Sequence, residues 1–321
     1  MARLPHTLLP LLPLTLALAA CGGAEPVPSG ATTTAGAATQ SSGVTAVDEP
    51  LAVTASFYPL EYLTARVAGE AAEVSTLTRP GLDPHDVELS PREVGALGAA
   101  DLVIYSSGIQ PAVDRAVETQ AQGHALDVAT AADLLALGES EDEHADHGDE
   151  DPHFWLDPER YGAVALVIAD RLAQLDPARA AAYEANAAAV VSDLEELDQE
   201  FADGLARCDS RELVTTHEAF GYLAQRYDLH QTGITGISPE SEPSAARLAE
   251  ISAQVREQGV RTVYAEPLLS DAIARTVAQE TGARVLTLDP ADGLTQESAG
   301  EDYLEIMRAN LAALQEGLGC S

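Results

Sequence analysis

The chain has 321 residues, 46% of them hydrophobic, 4% aromatic and 21% charged, which is more than one compact core usually holds and enough apolar material for two lobes. Its 17 basic residues are all arginine and stand against 52 acidic ones, a formal charge of −35. That balance argues against non-specific nucleic-acid binding, which needs clustered cations to displace counterions from phosphate, and suits the binding of a cation.

Arg3 and an apolar run over residues 8–20, interrupted by Pro10 and Pro13, read as a secretory signal of residues 1–20. The run falls short of the ~20 residues that a membrane-spanning helix needs. It ends in Leu18-Ala19-Ala20-Cys21-Gly22, which resembles the lipobox of bacterial lipoproteins, where the cysteine is acylated and becomes the first mature residue. Lipid at Cys21 would anchor the protein on the outer face of the cytoplasmic membrane. Residues 21–50, rich in Ala, Thr, Gly, Ser and Pro without periodicity, read as a flexible tether. Beyond Cys21 only Cys208 and Cys320 remain, and in an exported chain one such pair suggests a disulfide.

From Leu51 onward short apolar runs alternate with helical patterns. Strands are predicted at 51–56, 73–77, 102–105 and 125–128, with helices at 60–67, 91–99 and 111–120 between them. A second series places strands at 212–216, 262–265 and 284–288 among helices at 219–227, 243–258, 271–280 and 302–318. Strand–helix alternation implies parallel sheets with right-handed crossovers, an α/β fold class. Between the two series, residues 157–207 read as helix almost throughout: Asp157-Pro158 opens one helix, Asp176-Pro177 closes it and opens the next, and the first, 18 residues at 1.5 Å each, spans roughly 27 Å. The expected organisation is an N-terminal α/β lobe over 51–157, a rigid linking helix over 158–176 and a C-terminal α/β lobe over 177–321. Residues 139–151 form an acidic insertion in the first lobe.

Eight histidines are present, and their settings differ. His6 lies in the signal. His144 and His147 sit among the eight carboxylates of the insertion, where they would serve as an auxiliary trap for divalent cations. His124 and His230 stand singly and read as structural. The remaining three occur in Gly81-Leu82-Asp83-Pro84-His85, Asp151-Pro152-His153-Phe154-Trp155 and Thr215-Thr216-His217-Glu218. Each falls just beyond a strand or at the start of a helix, where open α/β sheets carry ligand-binding residues. Three neutral imidazoles and one carboxylate complete a tetrahedron around Zn²⁺, and Asp289, directly after the last strand, is the expected carboxylate. His85 and His153 belong to the first half, His217 and Asp289 to the second. An ion held by all four would sit in the inter-lobe cleft.

The wording around these residues carries more than their spacing. Asp83-Pro84-His85-Asp86-Val87-Glu88-Leu89-Ser90-Pro91, His153-Phe154-Trp155-Leu156-Asp157-Pro158 and Thr216-His217-Glu218-Ala219-Phe220-Gly221-Tyr222-Leu223 resemble the zinc- and manganese-binding lipoproteins of metal ABC transporters. Ser56-Phe57-Tyr58-Pro59-Leu60, Gly236-Ile237-Ser238-Pro239-Glu240 and Ala265-Glu266-Pro267 look similar to the same family, so the resemblance runs from about Leu51 to Leu318. It implies a bilobal, monomeric solute-binding receptor rather than an enzyme, delivering its ion to a permease and its ATPase. It also implies metal ligands at His85, His153, His217 and Asp289, with Glu266 as a substitute carboxylate or one standing behind the ligands. A third histidine marks the zinc importers of the family, in keeping with the preference of nitrogen-rich tetrahedral sites for Zn²⁺ over Mn²⁺. Mn²⁺ or Fe²⁺ is the alternative cargo. Two other readings stand beside it: a secreted zinc metallohydrolase with Glu218 or Asp86 as base, and an adhesin or metal-buffering lipoprotein without a transporter.

Overall fold

The computed structural model describes residues 49–136, 150–239 and 242–321. The expected signal, Cys21, nearly all of the tether, and His144 and His147 lie outside the described residues. The first half alternates as its sequence patterning predicts: β1 (Leu51–Ala55), α1 (Tyr58–Ala68), β2 (Ala72–Thr76), α2 (Pro91–Leu97), β3 (Leu102–Tyr105), α3 (Pro111–Gln120) and β4 (Ala125–Asp127). Proline in the first turn starts all three helices, where its missing N–H costs nothing, and Ser90 and Glu93 close a capping box on α2. The strands lie in the order β2-β1-β3-β4, all parallel, with Val53 opposite both Val74 and Leu102. Leu102, Val103 and Ile104 of β3 are all buried, as a strand covered by helices on both faces requires.

The chain then passes through a short α4 (Ala129–Ala132) and an antiparallel pair, β5 (Leu135–Ala136) with β6 (Glu150–Asp151), the latter formed by the last two residues of the acidic insertion. Asp157 caps α5 (Pro158–Leu175) by accepting the Glu159 N–H, and a turn at Pro177–Arg179 leads into α6 (Ala180–Gly204). The second half follows with β7 (Glu212–Thr215), α7 (Gly221–Arg226), β8 (His230–Gly233), α8 (Ala245–Gln258), β9 (Thr262–Ala265), α9 (Ala272–Thr281), β10 (Arg284–Thr287) and α10 (Tyr303–Leu318). Its sheet runs β8-β7-β9-β10, all parallel, so both halves share one strand order. The sequence patterning misses β8, because His230-Gln231-Thr232-Gly233 is a polar edge strand with no apolar run to mark it.

The expected connector is a single helix; the structure makes it a helical pair. α6 packs along α5 and also touches α1 in the first half and α10 in the second. Ion pairs fasten it on both sides: Arg66 of α1 to Asp193, and Arg308 of α10 bidentate to Glu200. One apolar core runs through both halves, including Val53, Phe57, Trp155, Leu194, Phe220, Tyr264, Tyr303 and Leu314. Cys208 and Cys320 form the expected disulfide, which pins the end of α10 to the segment after α6.

Candidate metal centre

The two Asp-Pro-His sequences of the first half fold into similar turns. Asp83 Oδ1 accepts the His85 N–H at 2.9 Å, and Asp151 Oδ1 accepts the His153 N–H at 3.0 Å. The intervening proline fixes each turn, and the imidazole is presented at a set angle. Gln110, just before α3, braces the first turn by donating to the Pro84 carbonyl at 3.2 Å and to Thr78 Oγ1 at 3.0 Å. Asp151 does more in the second: its Oδ1 also lies 2.8 Å from His153 Nδ1. Its backbone carbonyl accepts the Tyr222 hydroxyl of α7 at 2.6 Å, which ties this first-half turn to the second half.

His217 comes from the second sheet. It follows β7, and Glu266 follows β9, the strand paired with β7 where the strand order reverses. Ligand sites of open parallel sheets form at the carboxyl ends of two such strands. Glu266 Oε1 accepts the His217 N–H at 3.1 Å, and Oε2 lies 2.5 Å from His217 Nδ1. Thr215 Oγ1 donates to the His217 carbonyl at 2.6 Å. His217 Nε2 is buried and has no hydrogen-bond partner among the described residues.

The structure brings His85, His153 and His217 together, with one ring nitrogen of each within 4.8 Å of the others. His85 Nε2 and His153 Nε2 are 3.3 Å apart. A tetrahedral Zn²⁺ with Zn–N bonds of ~2.0–2.1 Å sets neighbouring donors roughly 3.3–3.4 Å apart, so that separation matches one edge of such a site. The three rings are 7%, 0% and 1% exposed, which shuts an ion at their centre away from bulk water. With the Nδ1 atoms of His153 and His217 facing carboxylates, their Nε2 atoms are left for a metal, the arrangement that fixes the tautomer of a ligating imidazole.

Carboxylates crowd this cluster. Burial pushes Asp151 up to about 7, and it raises Asp83 and, strongly, Asp292 above the ordinary carboxylate range. At His217, burial opposes protonation, but the charges of Glu266, Asp292 and Asp83 and the Glu266 hydrogen bond prevail and hold the imidazole above its ordinary value. Neither Asp289, the expected fourth ligand, nor Asp292 is in the three-histidine cluster. Asp289 Oδ1 accepts the Ala291 N–H at 2.8 Å and its backbone is held by Asn310, while its Oδ2 is buried with no hydrogen-bond partner among the described residues. Asp292, absent from the sequence reading, is 3% exposed, interacts electrostatically with His217 and has an Oδ1 with no hydrogen-bond partner among the described residues. Glu266 stands behind His217. Neither Glu218 nor Asp86 joins the cluster. Of the two singly placed histidines, the His124 ring bonds the Leu97 carbonyl at 2.9 Å, and the exposed His230 ring bonds Glu212 at 3.0 Å.

Two matching parallel sheets, a shared helical spine and one buried nitrogen-rich cluster define a two-lobed solute-binding protein of the α/β type. Comparison with known proteins gives the family. The family model described as ZnuA: Zinc-uptake complex component A periplasmic matches residues 53–317, and the chain belongs to that family. It is 37% identical over 282 residues to the zinc-binding lipoprotein AdcA of Streptococcus pneumoniae, covering 84% of this chain and 56% of that protein. The chain thus spans just over half the length of that relative. It is 33% identical over 281 residues to the high-affinity zinc uptake system protein ZnuA of Bacillus subtilis, covering 84% of this chain and 88% of that one. The crystal structure of Zn(II)-bound AdcA from Streptococcus pneumoniae superposes with a TM-score of 0.73 at 35% identity, covering 84% of this chain and 58% of that one.

Proposed function

We propose that this protein captures Zn²⁺ outside the cytoplasm and passes it to the permease and ATPase of an ABC-type importer. The observation that carries the reading is the convergence of three buried imidazoles, two of them with Nε2 atoms a tetrahedral edge apart. The family match and the zinc-binding relatives support it. His85, His153 and His217 are the nitrogen donors. A carboxylate supplies the fourth position; Asp289 and Asp292 each keep one oxygen without a hydrogen bond among the described residues, and Asp292 suits the position better because its charge acts on His217, whereas Asp289 Oδ1 is engaged by the Ala291 N–H. Nitrogen-rich donors favour Zn²⁺ over Mn²⁺. A site whose three imidazoles are buried suits holding an ion rather than turning over a bulky substrate, which favours a carrier over a hydrolase. Lipid at Cys21 would keep the monomer at the outer face of the cytoplasmic membrane, with the acidic insertion and its His144 and His147 collecting ions from outside.

The test is titration of the metal-free protein with Zn²⁺ and Mn²⁺ in competition, with His217→Ala as control. Zn²⁺ should bind at one site and win, and H217A should lose affinity by orders of magnitude while still folding. Unchanged binding in H217A would overturn the assignment.

A further inference from the structure

After β10 the chain runs as a strap over residues 289–294 before reaching α10. Its base is fixed on α10, where Asn310 accepts the Asp289 N–H at 2.8 Å and donates to the Asp289 carbonyl at 2.6 Å. Its far end crosses to the first half, where the Gly81 N–H donates to the Leu294 carbonyl at 3.0 Å, four residues before His85. Ala291, between these anchors, is buried with φ at +55°, a left-handed conformation that non-glycine residues adopt only when their surroundings impose it. The turn at Ala291 leads directly into buried Asp292.

Between the anchors, among the described residues, one side chain from outside the strap hydrogen-bonds its backbone: Trp155 Nε1 donates to the Pro290 carbonyl at 2.7 Å. Trp155 is fully buried, two residues after His153, with its ring 5.3 Å from that imidazole. Phe57 and Phe154 pack on the indole at 5.0 and 5.5 Å, and the Tyr303 hydroxyl holds its carbonyl at 2.5 Å. The indole is therefore fixed in place, and its N–H has one acceptor, on the strap. An apolar ring would meet the packing alone; the N–H is what tryptophan adds.

We infer that Trp155 is a positioning residue for ion retention, its hydrogen bond tying the segment that carries His153 to the strap that carries Asp292. Seating the strap and keeping the ion are then one event, and release requires the Trp155–Pro290 bond to break. The inference rests on the reading of Asp292 as the fourth donor.

The experiment measures the rate of Zn²⁺ loss to an excess of chelator in the full chain, for wild type, W155F, D292A and the double variant. Loss of one buried hydrogen bond should speed release about tenfold in W155F. D292A should release faster still, and the double variant should match D292A, because a strap without its carboxylate has nothing to position. An unchanged rate in W155F, or effects that multiply in the double variant, would overturn the inference while leaving Asp292 as a ligand. A silent D292A would overturn the reading of Asp292, and this inference with it. Should W155F fail to fold, the chain's single tryptophan allows replacement by benzothienylalanine, which keeps the ring shape and deletes only the N–H. The same acceleration is expected, and its absence would overturn the inference.

Discussion

One oxygen of Asp151 serves both nitrogens that His153 turns toward it: Oδ1 lies 3.0 Å from the backbone N and 2.8 Å from the ring Nδ1. The first contact shapes the turn and the second holds the ring, so one carboxylate sets both where the imidazole sits and which nitrogen it offers. Glu266 repeats the arrangement on His217 with its two oxygens. Carboxylates behind metal-binding histidines raise ligand basicity as well as fix orientation.

Asp151→Asn should therefore keep the turn, since an amide oxygen still accepts the His153 N–H, yet lower Zn²⁺ affinity about 10–100-fold. Glu266→Gln should act similarly through His217. Competition against a chromophoric chelator measures both. Wild-type affinity in either variant would mean that the imidazoles hold their orientation by packing alone.

Asp289 and Asp292 separate by what they should lose. Asp292→Asn should weaken Zn²⁺ binding at least about tenfold with a small effect on metal-free stability. Asp289→Ala removes the acceptor of the Ala291 N–H and should instead cost about 0.5–1.5 kcal/mol of stability. Denaturant unfolding beside metal titration distinguishes them, and the reverse pattern would restore Asp289 as the ligand.

How far the sequence reaches is clear from these same residues. Apolar alternation and proline-led helices placed most of the elements, because parallel strands buried on both faces leave long apolar runs. The three histidines stood out by their surroundings, and the repeated Asp-Pro-His holds the signal for Asp83 and Asp151, since the same Asx turn forms twice. Asp292 was not legible, because its inward course depends on a left-handed Ala291 that only tertiary contacts impose. Likewise, the helical pattern after Asp176 shows a helix but not that α6 touches both halves.

The disulfide spans a sequence separation of 112, and its Cys208 precedes β7, whereas His217 follows the other end of that strand. Cys320→Ser should lower unfolding stability by about 2–4 kcal/mol, mainly by freeing the unfolded chain. Zn²⁺ affinity should not change, because the bridge joins the chain before β7 to the end of α10, while His217 follows the opposite end of β7. Thermal unfolding with and without reductant, alongside metal titration, checks both halves of that statement. Weaker Zn²⁺ binding would mean that the end of α10 transmits to Asn310 and the base of the strap.

The pH dependence should run in opposite directions for the metal-free and loaded protein. In the metal-free fold His217, Asp83, Asp151, Asp289 and Asp292 are all raised above their ordinary values, the carboxyls chiefly by burial and His217 by its acidic neighbours against the pull of burial. The folded chain therefore holds more protons at these groups than the unfolded chain does. Stability from His217 is fully present below its unfolded value near 6.5 and is lost as pH rises through its higher folded value. The raised carboxyls add a cost that grows over the same rise, since each must ionise while buried. Asp198, held low by Arg226, works the other way, but its contribution is lost only as pH falls below about 4. Metal-free stability should thus decline from about pH 5 to about pH 8. Zn²⁺ needs neutral imidazoles and ionised carboxylates, so binding expels these protons and its stabilising increment should grow across that same range. Thermal unfolding at three pH values with and without Zn²⁺ tests the opposition. Calorimetry in buffers of differing ionisation enthalpy should register net proton release near neutral pH, and zero release would mean that the histidine cluster is already deprotonated before the ion arrives.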